Sequence, residues 1–390
     1  MKLQSPKALR VSLAFILLLF TCTNFAFAQS TDEEPRIVPH RINEFLYVLY
    51  GGNGQGSNVG LLISDDGILL IDGMTEKSNE KLLGAIREIS DKPIKYVLNT
   101  HSDFDHSGGN SFFSKMGATI ISQENSLYSS APTKLNFKNK LSLKFGVEEI
   151  TAEHVVSHSF DDVIIRLTKS NVLFTGDVFT SNYFPSFLSL EGQDRALDLA
   201  IAQSDNSTVV VPGHGSVANR KDLVSFKENS SKWRARVGAL VKQKTGIDSM
   251  VEDQQLKAIR DTFLINRPEG IPKERFKRFI ERTLSSEFTQ IVSLGKKQIS
   301  DYVGDYELEN KTILTVRMAN NRLYLLKLNE FYAEILPLSA KRFKIRGALE
   351  SEGHYLFGFD KKGKPNSLTF VDDGKSVMAR KLSDVASRMH

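Results

Sequence analysis

The run IKYVLNTHSDFDHSGG, Ile94 to Gly109, constrains the fold more than any other stretch. IKYVLNT reads as a short apolar strand that feeds directly into four potential metal donors, His101, Asp103, Asp105 and His106. Side chains two apart on an extended chain point the same way, so His101, Asp103 and Asp105 share a face if the turn stays extended. Gly108 and Gly109 follow, where backbone can pass close to a ligand cluster. Donors gathered just beyond a strand end are what an α/β protein would place at the edge of its sheet.

Three further donors sit in similar settings. His158 lies just before the strand DVIIRL, Asp177 ends VLFTGD, and His214 lies in VVVPGHG between glycines. NVGLLISDDGILLIDG reads as two strands around an Asp66-Gly67 turn, and TEKSNEKLLGAIREIS has Leu82, Leu83, Ile86 and Ile89 at helical spacing. Mixed strands and helices continue to about residue 225, which predicts an α/β unit. Helical periodicity then dominates to about Lys297, with basic residues on a solvated face. From Ile299 short strands alternate with turns at Asn320-Asn321, Lys362-Gly363 and Asp373-Gly374, which predicts a small antiparallel β domain. The expected division is 36–235, 236–297 and 298–390.

Residues 1–28 are expected to be a secretory signal: Lys2, Lys7 and Arg10, an apolar VSLAFILLLF, then small residues at Ala26–Ala28. Its removal takes the net charge from +5 to +2, so basicity is no argument for nucleic acid or a membrane surface. It also removes Cys22, the one cysteine. Any metal in the mature chain then rests on His, Asp or Glu. The expected location is secreted or periplasmic, with no integral membrane span after cleavage and a small-molecule substrate.

The series His101-x-Asp103-x-Asp105-His106, then His158, Asp177 and His214, resembles the metallo-β-lactamase-fold hydrolases, whose pattern is H-x-H-x-D-H, a later His, an Asp in GD and a final GH. The likeness covers roughly residues 38 to 240 and includes GILLIDG, with Asp72 at the family's first motif. It implies a four-layer αββα sandwich. His101, Asp103 and His158 would form one metal site, and Asp105, His106 and His214 a second, with Asp177 bridging. Two divalent ions, zinc first, are the implied cofactors, and a metal-bound hydroxide would attack a carbonyl or phosphoryl centre, with Asp105 orienting the water.

Asp103 stands where the family places a histidine. A shorter, anionic ligand lowers the effective charge of the metal and shifts preference toward manganese or iron. The alternative is a non-catalytic binding protein that keeps the fold with a weakened site. A flavodiiron-type oxidoreductase also carries a carboxylate there, but no glycine-rich phosphate loop follows. Asp161 and Asp162 are candidates to orient His158, and Asn182 and Tyr183 to line a cleft. His40, His154, His354 and His390 are read as structural, and Ser102 and Ser107 lack the context of nucleophiles. The C-terminal β unit resembles the lipocalin-like modules of some secreted serine hydrolases through YVGDYEL, ILPL and FGFDKKGKPNSLTF.

Overall fold

The computed structural model describes residues 36–52, 54–126, 134–185, 190–267, 269–319, 321–327 and 331–382. The expected signal at 1–28 and His390 lie outside them, as does Asn320 of one expected turn.

The first sheet is built from β1 (Val38–Arg41), β2 (Leu46–Tyr50), β3 (Val59–Ser64), β4 (Gly67–Ile71), β5 (Ile94–Leu98), β6 (Thr119–Gln123) and β7 (Lys134–Phe137), in that spatial order. β1 to β4 pair antiparallel, and β4 to β7 pair parallel. The β3–β4 turn is Asp65-Asp66, one residue earlier than expected. Gly67 already pairs with Ser64, and a Cβ there would stand 2.6 Å from the Pro93 carbonyl oxygen. α1 (Asn79–Arg87), the single turn α2 (Phe104–Ser107) and α3 (Asn110–Lys115) lie between these strands. Leu82 and Ile86 of α1 and Phe113 of α3 cover one face of the sheet, over Leu61, Leu70 and Val97.

The second sheet is formed by β8 (Lys140–Phe145), β9 (Glu148–His154), β10 (Val163–Leu167), β11 (Val172–Gly176), β12 (Val209–Pro212) and β13 (Ala218–Asn219). Only β11 and β12 pair parallel. Leu46, Leu62 and Leu69 of the first sheet meet Ile150, Ile165 and Phe174 of the second in the core between them. β4, β11 and β12 are apolar on both faces, as strands covered by a sheet on one side and helices on the other must be.

The outer layer of the second sheet departs from the expected division. α4 (Leu190–Ala202) and α5 (Arg220–Lys242) lie on it, followed by α6 (Ile247–Val251), α7 (Gln254–Phe263) and α8 (Lys273–Glu287). One apolar cluster runs from Ile164, Leu173 and Val210 of the sheet through Leu223, Phe226 and Trp233 of α5 to Phe263, Phe276, Phe279 and Ile280. The boundary expected at 235 thus falls inside a helix. α5 begins at Asn219, whose side chain accepts from the Lys221 and Asp222 amides while Asp222 returns the bond. No proline interrupts it, and the helical segment extends the sandwich core instead of leaving it.

α9 (Lys296–Tyr302) opens the last unit, a closed antiparallel barrel of β14 (Gly304–Leu308), β15 (Ile313–Ala319), β16 (Arg322–Lys327), β17 (Phe331–Pro337), β18 (Arg342–Ile345), β19 (His354–Phe359), β20 (Pro365–Asp372) and β21 (Lys375–Lys381). β14 pairs with β21 to close it. The Asp373-Gly374 turn has both residues at positive φ, 42° and 73°, as a tight hairpin requires. Tyr302, fully buried, enters the interior against Phe343 and Phe357 and donates to the Ala340 carbonyl at 2.7 Å. Tyr306 donates back to the Tyr302 carbonyl. Side chains fill this interior, as in small barrels generally.

Candidate metal centre

The donors meet at one end of the sandwich. Asp72 follows β4, His101 follows β5, Asp177 follows β11 and His214 follows β12. These are the carboxyl ends of the parallel strands in each sheet, where open α/β sheets place their sites. His158 joins them from the β9–β10 loop. The chain is extended only as far as Asp103, which precedes α2. The His106 and Ser107 amides both donate to the Asp103 carbonyl at 2.9 Å. The expected alternation therefore stops there, and helical geometry turns Asp105 and His106 toward His214 instead of toward Asp103.

Two donor groups result. His101, His158 and Asp177 form one, and Asp105, His106 and His214 the other, with the ligand atoms of each within 4.8 Å of one another. Asp103 belongs with the first: its Oδ2 lies 3.1 Å from His158 Nε2 and 3.7 Å from His101 Nε2. Asp177 faces both. Its Oδ1 is 3.4 Å from His106 Nε2 and 3.4 Å from His214 Nε2, and its Oδ2 is 3.9 Å from His158 Nε2. Asp105 Oδ2 is 3.2 Å from His214 Nε2. The His101 and His106 rings are 4.0 Å apart between centroids, so the groups adjoin.

The donor set fits divalent cations. His101 Nε2, His106 Nε2 and Asp177 Oδ1 are buried with no hydrogen-bond partner. Buried polar atoms are normally satisfied, and three orphans aimed at one another are explained by ions between them. Ligands of a tetrahedral zinc ion stand about 3.3 Å apart, a spacing the two groups are sized to reach.

Outer contacts hold the ligands. Asp72 Oδ2 accepts from His106 Nδ1 at 2.9 Å and from the Thr100 hydroxyl at 2.7 Å, and Asp72 Oδ1 accepts from the Thr100 amide at 2.8 Å. That fixes the proton on Nδ1 and leaves Nε2 as the donor atom. Asn58 donates to the Pro212 and Gly215 carbonyls on either side of His214. A Cβ at Gly213 would stand 2.0 Å from Asp177 Oδ1, so glycine lets the two loops meet.

The charges balance locally. Burial by itself pushes the His158 imidazole down, but the hydrogen bond and charge of Asp103, then Asp177, outweigh it and lift the group to about 10. Burial likewise opposes the rise of His106, but Asp72 and Asp177 hold it well above the ordinary value, and Asp177 and Asp105 raise His214. Against their own burial, the carboxyls of Asp103, Asp105 and Asp177 are held below the usual range by these histidines. Asp161 and Asp162 are buried beside them. Burial pushes Asp161 up to about 6 and raises Asp162. Their strongest contacts are with Ser159, whose hydroxyl donates to both, so they shape the His158 loop without a hydrogen bond to its ring.

Of the remaining candidates, Asn182 lies against Gly215 beside His214. Tyr183 turns toward the helices instead, with the Arg267 guanidinium 5.3 Å from its ring centre. Its neighbour Phe184 stacks on Phe279 at 3.9 Å, and Asn266 donates to the Ser181 carbonyl. The loop after Asp177 is thereby pinned by α7 and α8. Thr100, Asn58 and Phe184 were not singled out by sequence reasoning. They are common residue types in no motif, and only the fold brings them to the site. The Ser107 hydroxyl donates to the Ser102 and Asp103 carbonyls, and His154 Nε2 meets the Phe160 carbonyl at 2.9 Å.

The layered N-terminal unit has the metallo-β-lactamase fold, and residues 52–119 match the model of the metallo-beta-lactamase superfamily. Among characterised proteins, the chain is similar to the metallo-beta-lactamase IND-1 of Chryseobacterium indologenes, 26% identical over 239 residues, spanning 56% of this chain and 100% of that protein. It is also similar to a probable hydroxyacylglutathione hydrolase, glo2, of Schizosaccharomyces pombe, 27% identical over 172 residues, 41% of this chain and 65% of that one. Among solved structures, a metallo-beta-lactamase from Pontibacter korlensis aligns with a TM-score of 0.44 and 20% identity, covering 50% of this chain and 100% of the other.

Proposed function

We propose that the protein is a metal-dependent hydrolase that holds two divalent ions, zinc first, between His101, Asp103, His158 and Asp177 on one side and Asp105, His106, His214 and Asp177 on the other. The position of Asp177 carries this reading: one carboxylate faces both donor groups, beside two buried imidazole nitrogens with no other partner. Bound ions would supply Lewis acidity, an acidified water as nucleophile and charge stabilisation for a developing oxyanion. Asp105, whose carboxylate lies 3.2 Å from His214 Nε2, would orient that water. Asp72 keeps His106 in the tautomer that presents Nε2.

Substrates in reach of this chemistry are small molecules with a carbonyl or phosphoryl centre, such as a lactam, lactone, thioester or phosphoester. The names of the relatives, a metallo-beta-lactamase and a probable hydroxyacylglutathione hydrolase, support that range. Asp103 adds an anionic donor, which favours manganese or iron more than an all-imidazole group would. Secretion or export to a periplasm rests on the signal-like residues 1–28. Among the described residues no helix is long and apolar enough to cross a membrane.

The test is elemental analysis of the purified chain followed by a panel of those four substrate types. Two ions per chain and turnover abolished by a chelator are expected. A chain that takes up no divalent ion and turns over none of the panel would sink the proposal.

A further inference from the structure

His158 is the ligand least supported by its own sheet, because it sits in the middle of the β9–β10 loop. The loop is flanked by Val156 and Phe160, both nearly buried, and what buries them is the C-terminal barrel. Tyr324 of β16, 2% exposed, stands 4.7 Å from the Phe160 ring and forms a separate apolar cluster with Val156 and Phe160, joined by Leu326.

The barrel is fixed where it makes that contact. Arg322, two residues before Tyr324, pairs with Glu191 at the start of α4 and with Glu334. Glu334, 3% exposed, is held by Arg346 through Nε at 2.7 Å and Nη2 at 3.1 Å, and Arg346 also reaches the Ser286 carbonyl and Glu287 on α8. Further along, Arg282 of α8 pairs with Glu352 at 2.7 Å, and Ser285 donates to the Ala348 carbonyl. Buried, multiply bonded charges of this kind fix orientation more than they add stability. Tyr324 is therefore presented to the loop by a rigid support.

We infer that the barrel completes the metal centre from outside. Tyr324 is a positioning residue that presses Phe160 and Val156 inward and holds His158 within reach of His101, Asp103 and Asp177. The inference rests on the metal reading of this pocket. The loop's own ties are polar and local, and they include the Ser159 hydroxyl on Asp161 and Asp162 and His154 Nε2 on the Phe160 carbonyl. The Val155 amide donates to the Asp162 carbonyl, the Ser157 amide to the Ser159 carbonyl at 3.2 Å, and the Ser159 amide to Asp162 Oδ2. Tyr324 and the half-buried Leu326 are the barrel side chains in this apolar cluster, and Tyr324 is the larger and more buried of the two.

The experiment uses the full chain with Tyr324→Ala, Tyr324→Leu and Tyr324→Phe, and reads amide hydrogen exchange across 155–162 and stepwise zinc affinity. Tyr324→Ala is expected to speed exchange of the Val155, Ser157 and Ser159 amides about tenfold relative to β5 and β11, and to weaken one of two zinc sites about 10- to 100-fold, the range for residues that support a ligand. Tyr324→Phe, which keeps the ring, should match the parent, and Tyr324→Leu should fall between. The second zinc site, with His106 and His214, should keep its affinity. Exchange and zinc affinity unchanged in Tyr324→Ala would overturn the inference, as would uniform acceleration over the whole chain. If the parent binds no metal, the proposed function fails, but exchange in the loop still decides whether Tyr324 holds it.

Discussion

His106 Nδ1 and Asp72 Oδ2 stand 2.9 Å apart at a site where both side chains are shut off from solvent. Asp72 is also held at φ 65°, a left-handed conformation that asparagine tolerates well. Asp72→Asn should therefore keep the backbone. Its amide NH2 would then donate to Nδ1, moving the imidazole proton to Nε2 and blocking that donor. The expected result is a folded chain with about 10- to 100-fold weaker metal binding at the His106 group, measured by competitive chelation.

Asp103 separates two readings of the first donor group. Asp103→Ala removes the carboxylate nearest His158, so the metal content of the purified chain should fall toward one ion. Asp103→His substitutes a neutral imidazole and is expected to raise hydrolysis of a generic ester or lactam. If neither variant alters metal content or rate, Asp103 does not ligate.

Metal uptake should release protons. In the metal-free chain the facing aspartates raise His106, His158 and His214, His158 to about 10, and a ligating imidazole must be neutral. Zinc affinity should keep rising with pH beyond the ordinary histidine range near 6.5, with proton release visible as a buffer-dependent heat in titration calorimetry. For the metal-free fold the sign is opposite. A raised histidine contributes stability that is full below about 6.5 and lost as pH climbs through about 10. The urea midpoint of stripped protein should accordingly fall across that interval, while loaded protein holds steady.

Phe184 ties the loop after Asp177 to α8. Truncation to alanine removes a ring that is 3% exposed and stacked on Phe279. It should cost about 3–5 kcal/mol in chemical denaturation, the range for a buried phenylalanine. Because the Ser181 amide of the same loop also donates to the His214 carbonyl at 3.2 Å, metal affinity should drop alongside stability.

Much of the architecture could be read from periodicity. β4, β5, β11 and β12 lead into donors or glycines, and that arrangement marked six of the seven side chains that converge, His158 standing apart in the loop before β10. Three things were not legible. β7 and β8 carry lysine at 134, 140 and 144, and charged edge strands give a weak apolar signal. The helical segment looked like a connector because its amphipathic face does not reveal what it covers. Phe160 and Tyr324 lie more than 160 residues apart in the chain, and no local pattern links them.

α5 begins six residues after His214 and, at 23 residues, is a rod about 35 Å long. Its buried side chains are shared between the second sheet and the helices α6, α7 and α8. A shortened gene product ending just past the last donor would lose α5, α7 and α8 and leave Ile164, Leu173 and Val210 of the second sheet without that cover. The smallest unit able to stand alone is thus set by where that shared seam closes, near the end of α8, and not by where the final imidazole is encoded.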